Sequence, residues 1–190
     1  MEIEDRTLRI GVVLIGHVMW LSAGALRVAR AGRSVRVRRR SAWLLEQYPV
    51  LVWIPLVAAT FFAAHQVDLP LGWRLGGVAL ALGGSLFAAW SMWSLGAAYG
   101  VRTDVYEGAA LRTSGSYGIV RHPTYLGIVA YHVGASLALE SVALLFVTAL
   151  VVLPYTAARM AAEEAVLGSA FGSAWERYAG RVPALIPFPR

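Results

Sequence analysis

Two short polar segments stand out in a chain that is otherwise rich in apolar residues. The first is Arg121-His122-Pro123, and the second, further along the chain, contains Arg159 and the adjacent carboxylates Glu163 and Glu164. Pro123 disfavours helical geometry at the residue before it and suits the first position of a following helix. The first segment therefore predicts two cation-capable donors held at the mouth of a helix.

The pair Glu163-Glu164 supplies the opposite charge. Adjacent residues on an α-helix point about 100° apart, because the helix has 3.6 residues per turn. One carboxylate can therefore meet an amine or a hydroxyl while the other pairs with Arg159 or Arg121. Arg159 and Glu163 are four residues apart and share a helix face. Taken alone, the segments also fit a lipid-anchoring arginine and a solvated helix face.

The composition indicates an integral membrane protein. Of the 190 residues, 58% are hydrophobic and only 15% are charged, and long apolar runs recur. The net charge is +6, and all 17 basic residues are arginines in short loops. There they act as topology signals and as contacts for anionic lipid, so no nucleic-acid partner is predicted. The absence of cysteine excludes disulfides, thiolate metal sites and cysteine nucleophiles.

Hydropathy predicts an all-α integral membrane bundle of about five transmembrane helices. The expected spans are residues 8–28, 43–64, 73–95, 125–139 and 142–153. The break at Glu140-Ser141 makes the last two a C-terminal hairpin with arms of roughly 21–26 Å. Only Arg6, Arg9 and Arg74 then lie outside the cytoplasm. This asymmetry predicts an outside N-terminus and a cytoplasmic C-terminus, in a bacterial-type inner membrane.

The remaining segments predict how the bundle is packed and closed. Gly72 and Gly76 have the GxxxG spacing, and Gly77, Gly83 and Gly84 follow on the same span; small residues at these spacings let helices approach closely. Residues 155–171 predict an amphipathic helix after Pro154 that ends at Gly172. The tail beyond Trp175 is too polar and proline-rich to span, and we expect it to fold over the cytoplasmic mouth of the bundle.

Several familiar kinds of site are not indicated by the sequence. It contains no GxGxxG, P-loop or GxSxG motif, which argues against a soluble Rossmann-type enzyme. His122 and His132 have no carboxylate–histidine spacing typical of metal ligands, so no metal site is predicted.

The C-terminal half resembles the isoprenylcysteine carboxyl methyltransferase family, which groups with phospholipid N-methyltransferases. The matching segments are LRTSGSYGIVRHPTYLG at 111–127, Arg159 with Glu163-Glu164, Phe171-Gly172, WERY at 175–178 and RVPALIP at 181–187. The resemblance covers residues 95–189, whereas the first two spans show none. Ser116 stands where the family usually has proline, and we expect it to loosen the turn without abolishing it.

This resemblance implies a membrane methyltransferase that uses S-adenosyl-L-methionine at the cytoplasmic membrane face. It divides the chain into an N-terminal two-span region, 1–72, and a catalytic core, 73–190. The catalytic residues that it implies are Arg121, Arg159 and Glu163. The implied cofactor-binding residues are Tyr117, Val120, His122, Tyr125, Glu164, Tyr178, Arg181, Val182, Ile186 and Pro187.

The acceptor is expected to be a lipophilic small molecule or a lipid. Carboxyl O-methylation of an isoprenylcysteine-like substrate needs orientation by arginine but no base, because the carboxylate is already ionised. N-methylation of a phospholipid amine requires a base, for which Glu163 is the candidate. Two alternatives belong to other classes: an NADPH-dependent sterol-type reductase and a non-catalytic membrane scaffold. The oligomeric state is left open.

Overall fold

The computed structural model describes residues 7–8, 10–16, 18, 21–22, 25, 35–38, 45, 47–95, 104–106 and 110–186. The predicted first span, 8–28, and the segment 30–40 after it, which contains six arginines, lie largely outside these residues. Residues 10–16 are helical. The elements that follow are β1 (Val35–Arg38), α1 (Tyr48–Phe62), α2 (Leu71–Leu95), β2 (Asp104–Tyr106), α3 (Ser116–Ile119), α4 (Pro123–Ala138), α5 (Val142–Val147), a π-helical turn (Thr148–Val152), α6 (Leu153–Phe171) and α7 (Ser173–Ala179).

Helices α2 and α4 pack closely because glycines face each other across their interface. A Cβ on Gly77 would lie 2.5 Å from the Ala138 nitrogen, and one on Gly84 would lie 2.6 Å from the Gly127 carbonyl oxygen. Any side chain there would force the two backbones apart. The predicted pair Gly72 and Gly76 is not at this interface, because a Cβ on either meets no atom within 4 Å. The predicted close packing is therefore confirmed at Gly77 and Gly84, whereas Gly72, Gly76 and Gly83 lie off the interface.

The chain reverses direction between α4 and α5, which confirms the predicted hairpin. Glu140 has φ +54°, a left-handed conformation that a side chain rarely adopts and that here turns the chain. Ser141 then caps α5, its hydroxyl oxygen accepting from the Leu144 amide at 3.2 Å. The start of α4 and the end of α6 are thereby brought to the same end of the hairpin.

The second arm of the hairpin is one continuous helix, Val142–Phe171. We expected a span at 142–153 and a separate helix at 155–171. The structure instead joins them through the π-helical turn that ends at Val152, two residues before Pro154. A π turn widens the helix, which accommodates the proline ring and its missing amide. At 30 residues the helix is about 45 Å long, well beyond the thickness of the hydrocarbon core.

Two helices, Leu71–Leu95 and Val142–Phe171, are long and apolar enough to cross a membrane. Their large apolar side chains point outward: Leu75 is 59%, Phe146 61% and Leu150 71% exposed. An outward apolar surface of this kind is typical of helices that face lipid and not of the core of a soluble protein. Helices α1 and α4 have 15 and 16 residues, so the five-span topology stays a prediction.

A two-stranded antiparallel ribbon departs from the all-α expectation. Strand β1 pairs with β2 in the register Val37↔Val105 and Arg38↔Asp104, with a bulge before Val37. Both strands lie against α6. Strands of three and four residues carry too short a pattern for recognition from sequence, and their pairing depends on where the helices place the two loops.

Candidate functional site

The main chain at Arg121 and His122 is held against the C-terminal tail. His122 has φ −122° and ψ 59°, a non-helical geometry expected before Pro123. The Arg121 amide donates to the Pro183 carbonyl at 2.8 Å, and the His122 amide donates to the Ala184 carbonyl at 3.0 Å. The tail therefore closes over the beginning of α4, as the sequence predicts.

A second contact joins the tail to the turn that precedes α4. The Tyr178 hydroxyl donates to the Tyr117 carbonyl at 2.7 Å, and both rings are buried. Burial raises the pKa of Tyr178 to about 12, against a lowering effect of nearby Arg121. The phenol thus stays protonated and continues to donate near neutral pH.

The turn itself forms with serine in place of the expected proline. Gly115 takes φ +65°, a conformation that favours glycine, and α3 begins at Ser116. The Gly118 amide donates to the Gly115 carbonyl at 3.0 Å. Ser116 is fully buried, and among the described residues its hydroxyl has no hydrogen-bond partner.

The Arg121 guanidinium links the tail to α6. One terminal nitrogen donates to the Ala179 and Val182 carbonyls at 2.8 and 2.7 Å. Nε and the other terminal nitrogen donate to Glu164 Oε1 at 3.1 and 2.8 Å. The guanidinium carbon also lies 5.8 Å from the centre of the Trp175 ring, within cation–π distance. The Arg121 side chain is only 10% exposed, and in this structure it holds the tail against α6.

His122 completes the surroundings of the same carboxylate. Its Nε2 lies 3.0 Å from Glu164 Oε1. A carboxylate oxygen only accepts, so this contact requires the proton on Nε2. We call Glu164, Arg121 and His122 the Glu164 group.

Glu163 belongs to a second group, on the side of the helices, although its Oε2 also lies 3.8 Å from His122 Nδ1. The Tyr125 hydroxyl donates to Glu163 Oε1. Arg159 Nε donates to the Tyr125 hydroxyl oxygen at 3.2 Å and to Glu163 Oε1 at 3.3 Å. The four-residue spacing of Arg159 and Glu163 therefore produces the predicted shared face. We call Glu163, Tyr125 and Arg159 the Glu163 group.

In both groups the carboxylate is partly exposed to solvent, whereas the side chains that donate hydrogen bonds to it are largely buried. The side chains of Glu163 and Glu164 are 24% and 31% exposed, whereas those of Arg159 and His122 are 2% and 3% exposed. A ligand can thus approach two anionic groups whose orientation is fixed from behind. This arrangement is suited to a polar ligand that carries positive charge or hydroxyl groups.

Of the other predicted site residues, some lie beside the two groups and others do not. Val120 is fully buried and Val182 contributes its carbonyl to Arg121. Arg181 is exposed and its Nε donates to the Arg177 carbonyl, so it does not enter either group. Ile186 is 57% exposed. Pro187 lies outside the described residues.

Sequence reasoning missed three residues beside the site. Tyr48 and Thr156 share a hydrogen bond of 2.7 Å next to the Glu163 group, and Trp175 lies beside Arg121. Thr156 could have been found, because it falls on the helix face of Arg159 and Glu163. Tyr48 gave no such signal, since only tertiary packing brings α1 to the site.

Comparison with known families gives a match over the helical core. A family model described as phospholipid methyltransferase matches residues 73–174, which is more than half of the chain. Among curated proteins, the protein-S-isoprenylcysteine O-methyltransferase of Schizosaccharomyces pombe is 36% identical over 77 residues, covering 40% of this chain and 33% of that protein. The protein-S-isoprenylcysteine O-methyltransferase B of Arabidopsis thaliana is 38% identical over 78 residues, covering 41% and 40%.

A solved structure shares the fold. The eukaryotic intramembrane Ras methyltransferase ICMT superposes with a TM-score of 0.58 at 23% identity, covering 80% of this chain and 55% of that one. The chain spans 33–40% of the length of the two curated relatives. The resemblance noted in the sequence is therefore confirmed, and the match over residues 73–174 shows that the chain belongs to the phospholipid methyltransferase family.

Proposed function

We propose that this protein is an integral-membrane methyltransferase that moves a methyl group from S-adenosyl-L-methionine to a lipophilic acceptor. One observation carries the proposal: the Glu163 group and the Glu164 group meet at one end of the α4–α5 hairpin, under the tail. Membership in a methyltransferase family implies a methyl donor, and among the described residues these two groups form a partly exposed polar cluster that could hold one.

The residues at this end fit S-adenosyl-L-methionine by their chemistry. The donor is a cation with an ammonium group and ribose hydroxyls, and the two partly exposed carboxylates match those groups. Glu164, His122 and Tyr125 would hold it, with Tyr117, Val120, Tyr178 and the tail, including Arg181, Val182, Ile186 and Pro187, as the wall. When bound, the donor supplies an electrophilic methyl carbon.

The arginines would act in different ways. Arg121 already donates to Glu164 and to two tail carbonyls, so its main effect is to keep the tail closed and Glu164 in place. Arg159 is buried beside Tyr125 and Glu163, on the side of the helices. It would orient the acceptor end of the site. Alignment and exclusion of water carry much of the barrier reduction in a displacement at carbon.

The acceptor that we propose is the carboxylate of an isoprenylcysteine-like molecule. Both curated relatives are named as isoprenylcysteine O-methyltransferases, although each match covers less than half of the relative. A carboxylate acceptor needs no base, and an arginine such as Arg159 could orient it. The outward apolar faces of α2 and α5 would accept its hydrocarbon part from the bilayer.

A phospholipid amine is the second candidate acceptor, because the matching family model is that of phospholipid methyltransferases. An amine must lose a proton before or during transfer. Glu163 would then be the base, since its carboxylate is 24% exposed.

Two measurements on detergent-purified protein test the proposal. Calorimetry with S-adenosyl-L-homocysteine should detect binding, and the absence of binding at millimolar ligand would reject the proposed donor. Labelled S-adenosyl-L-methionine should then transfer methyl to a farnesylcysteine analogue, giving a base-labile label. Label found only on phosphatidylethanolamine would select the second acceptor.

We also propose the topology and division of the chain that the arginine asymmetry favours. The N-terminal two-span region, 1–72, would begin outside, and the catalytic core, 73–190, would place the site and the C-terminus in the cytoplasm of a bacterial-type inner membrane. Reporter fusions after Arg40, Asp68, Asp104 and Arg190 should read inside, outside, inside and inside. A fusion after Glu140 that reads inside would contradict the hairpin topology.

A further inference from the structure

Tyr48, the first residue of α1, is buried against the face of the hairpin that carries the Glu163 group. It is 4% exposed. Its ring meets the Tyr125 ring edge-on, with the centroids 5.2 Å apart at 82°, and lies 5.2 Å from the Tyr155 ring. Its hydroxyl shares a 2.7 Å hydrogen bond with the Thr156 hydroxyl. Tyr48 is thus fixed at both ends, by the rings and by α6.

These contacts bear directly on the orientation of Tyr125. The Tyr125 hydroxyl donates to Glu163 and accepts from Arg159 Nε, so its ring angle sets where both partners lie. Tyr48 packs on one side of that ring, and the His122 ring lies 5.8 Å away. A ring held in this way cannot tilt without losing an edge-to-face contact or a hydrogen bond.

The same part of the chain supplies a second contact to the Glu163 group. Arg159 Nη1 donates to the carbonyl of Leu45, three residues before Tyr48. Arg159 is 2% exposed, and a buried guanidinium needs acceptors for its donors. The Leu45 carbonyl therefore accepts from Arg159, while the Tyr48 ring packs on Tyr125.

We propose that Tyr48 is a positioning residue of the methyl-transfer site, and that Leu45 and Tyr48 complete the Glu163 group. This inference rests on the proposed function. It extends the site beyond residues 73–174, the part matched by the family model, and gives α1 a role in the reaction. Tyr48 acts through Tyr125 and Glu163, so its loss slows transfer more than it weakens the binding of either substrate.

The test compares variants by kcat and by the KM of donor and acceptor. Tyr48→Leu removes the ring and should lower kcat by about 10²-fold, the cost of a reacting geometry displaced by about 1 Å. Tyr48→Phe keeps the ring and should restore most of the rate, within about tenfold of the wild type, because only one hydrogen bond is lost. The KM of each substrate should change by a smaller factor than kcat does.

The hydrogen bond to Thr156 provides an internal check. Thr156→Val removes the partner hydroxyl at nearly constant shape and should match Tyr48→Phe. The double variant should be no slower than either single one, because both remove the same bond. Independent, multiplying effects would overturn the proposed link between Tyr48 and α6.

Tyr131→Phe is the matched control. Tyr131 is equally buried, and its hydroxyl donates to the Val12 carbonyl at 2.7 Å, another contact between α4 and the N-terminal region. It should leave kcat unchanged. Equal kcat losses in Tyr48→Phe and Tyr131→Phe, or full activity in Tyr48→Leu, overturn this inference alone. A wild-type protein that neither binds S-adenosyl-L-homocysteine nor transfers methyl overturns the proposed function and this inference with it.

Discussion

The two ends of the α4–α5 hairpin are built from the same residue types but are open to different degrees. At the turn, Glu140 accepts from the Leu69 amide at 2.8 Å and lies 2.7 Å from His65 Nδ1 and 3.8 Å from Arg74 Nε. At the other end, Glu164 meets Arg121 and His122. The Glu140 side chain is 6% exposed, whereas that of Glu164 is 31% exposed.

This difference separates a structural cluster from a candidate site. A glutamate enclosed by a histidine, an arginine and a backbone amide has its acceptors satisfied and no room for a ligand. A glutamate that is hydrogen-bonded to largely buried donors on one side and exposed to solvent on the other can still accept a hydrogen bond from a ligand. Residue types alone, and therefore the sequence alone, do not distinguish the two ends. Exposure and the direction of the donors do.

The largest expected effect is at the open end. Glu164→Gln replaces the charged acceptor of Arg121 and His122 and should weaken S-adenosyl-L-homocysteine binding by about 10²-fold, since hydrogen bonds to charged groups contribute about 1.5–3 kcal/mol each. Calorimetry on the folded protein measures this. Unchanged affinity would remove Glu164 from the donor site. Glu176→Gln, at an exposed glutamate on α7, is the control and should bind as the wild type does.

A substitution at the closed end, the hairpin turn around Glu140, should lower stability and leave catalysis unchanged. Glu140→Gln leaves buried donors poorly paired, and should lower the free energy of unfolding by about 1–3 kcal/mol. Thermal melting in detergent measures the loss, and kcat per folded molecule should stay at the wild-type value. A loss of kcat without a loss of stability would mean that the two ends of the hairpin are coupled and would break the comparison.

Much of this arrangement follows from the sequence. The third span predicted at 73–95 is α2, Leu71–Leu95, and the break at Glu140-Ser141 is the hairpin turn. These features depend on local hydropathy and turn chemistry. The hairpin brings its two flanks together. The contact of Arg121 and His122 with Glu163 and Glu164 could therefore also be predicted from the sequence.

The features that escaped prediction depend on contacts between distant segments. Hydrogen bonds and an ion pair join Glu140 to residues of the 63–70 loop and of α2. Tyr48 reaches Tyr125 only through the packing of α1. The sequence indicated both Gly76 and Gly77 as packing residues. Which of the two faces α4 is a matter of about 100° of rotation on one helix, which composition does not resolve. The continuous helix through Pro154 needed a π turn, a local irregularity without a reliable sequence pattern.

With the proposed carboxylate acceptor, a smaller effect is expected within the open end, at Glu163. If the acceptor is a carboxylate, Glu163→Gln should lower kcat by less than about tenfold, because no proton is removed and the amide oxygen still accepts from Tyr125. If the acceptor is an amine, the loss should be about 10²–10⁴-fold, the usual contribution of a general base. Methyl transfer to a farnesylcysteine analogue and to phosphatidylethanolamine, measured with the same preparation, separates these outcomes.

The smallest expected effect is a pH dependence of stability at the closed end. Burial alone would raise the pKa of Glu140, but hydrogen bonds from Leu69 and His65 and the charge of Arg74 outweigh it and lower the pKa below the ordinary value of 4.5. The unfolded chain therefore binds this proton more readily than the folded protein does. The resulting stabilisation is fully present above the ordinary value and is lost as the pH falls through the lower, folded-state pKa. Melting temperatures from pH 7 to pH 3 should fall more steeply for the wild type than for Glu140→Gln, and parallel curves would show that Glu140 contributes nothing to the acid sensitivity.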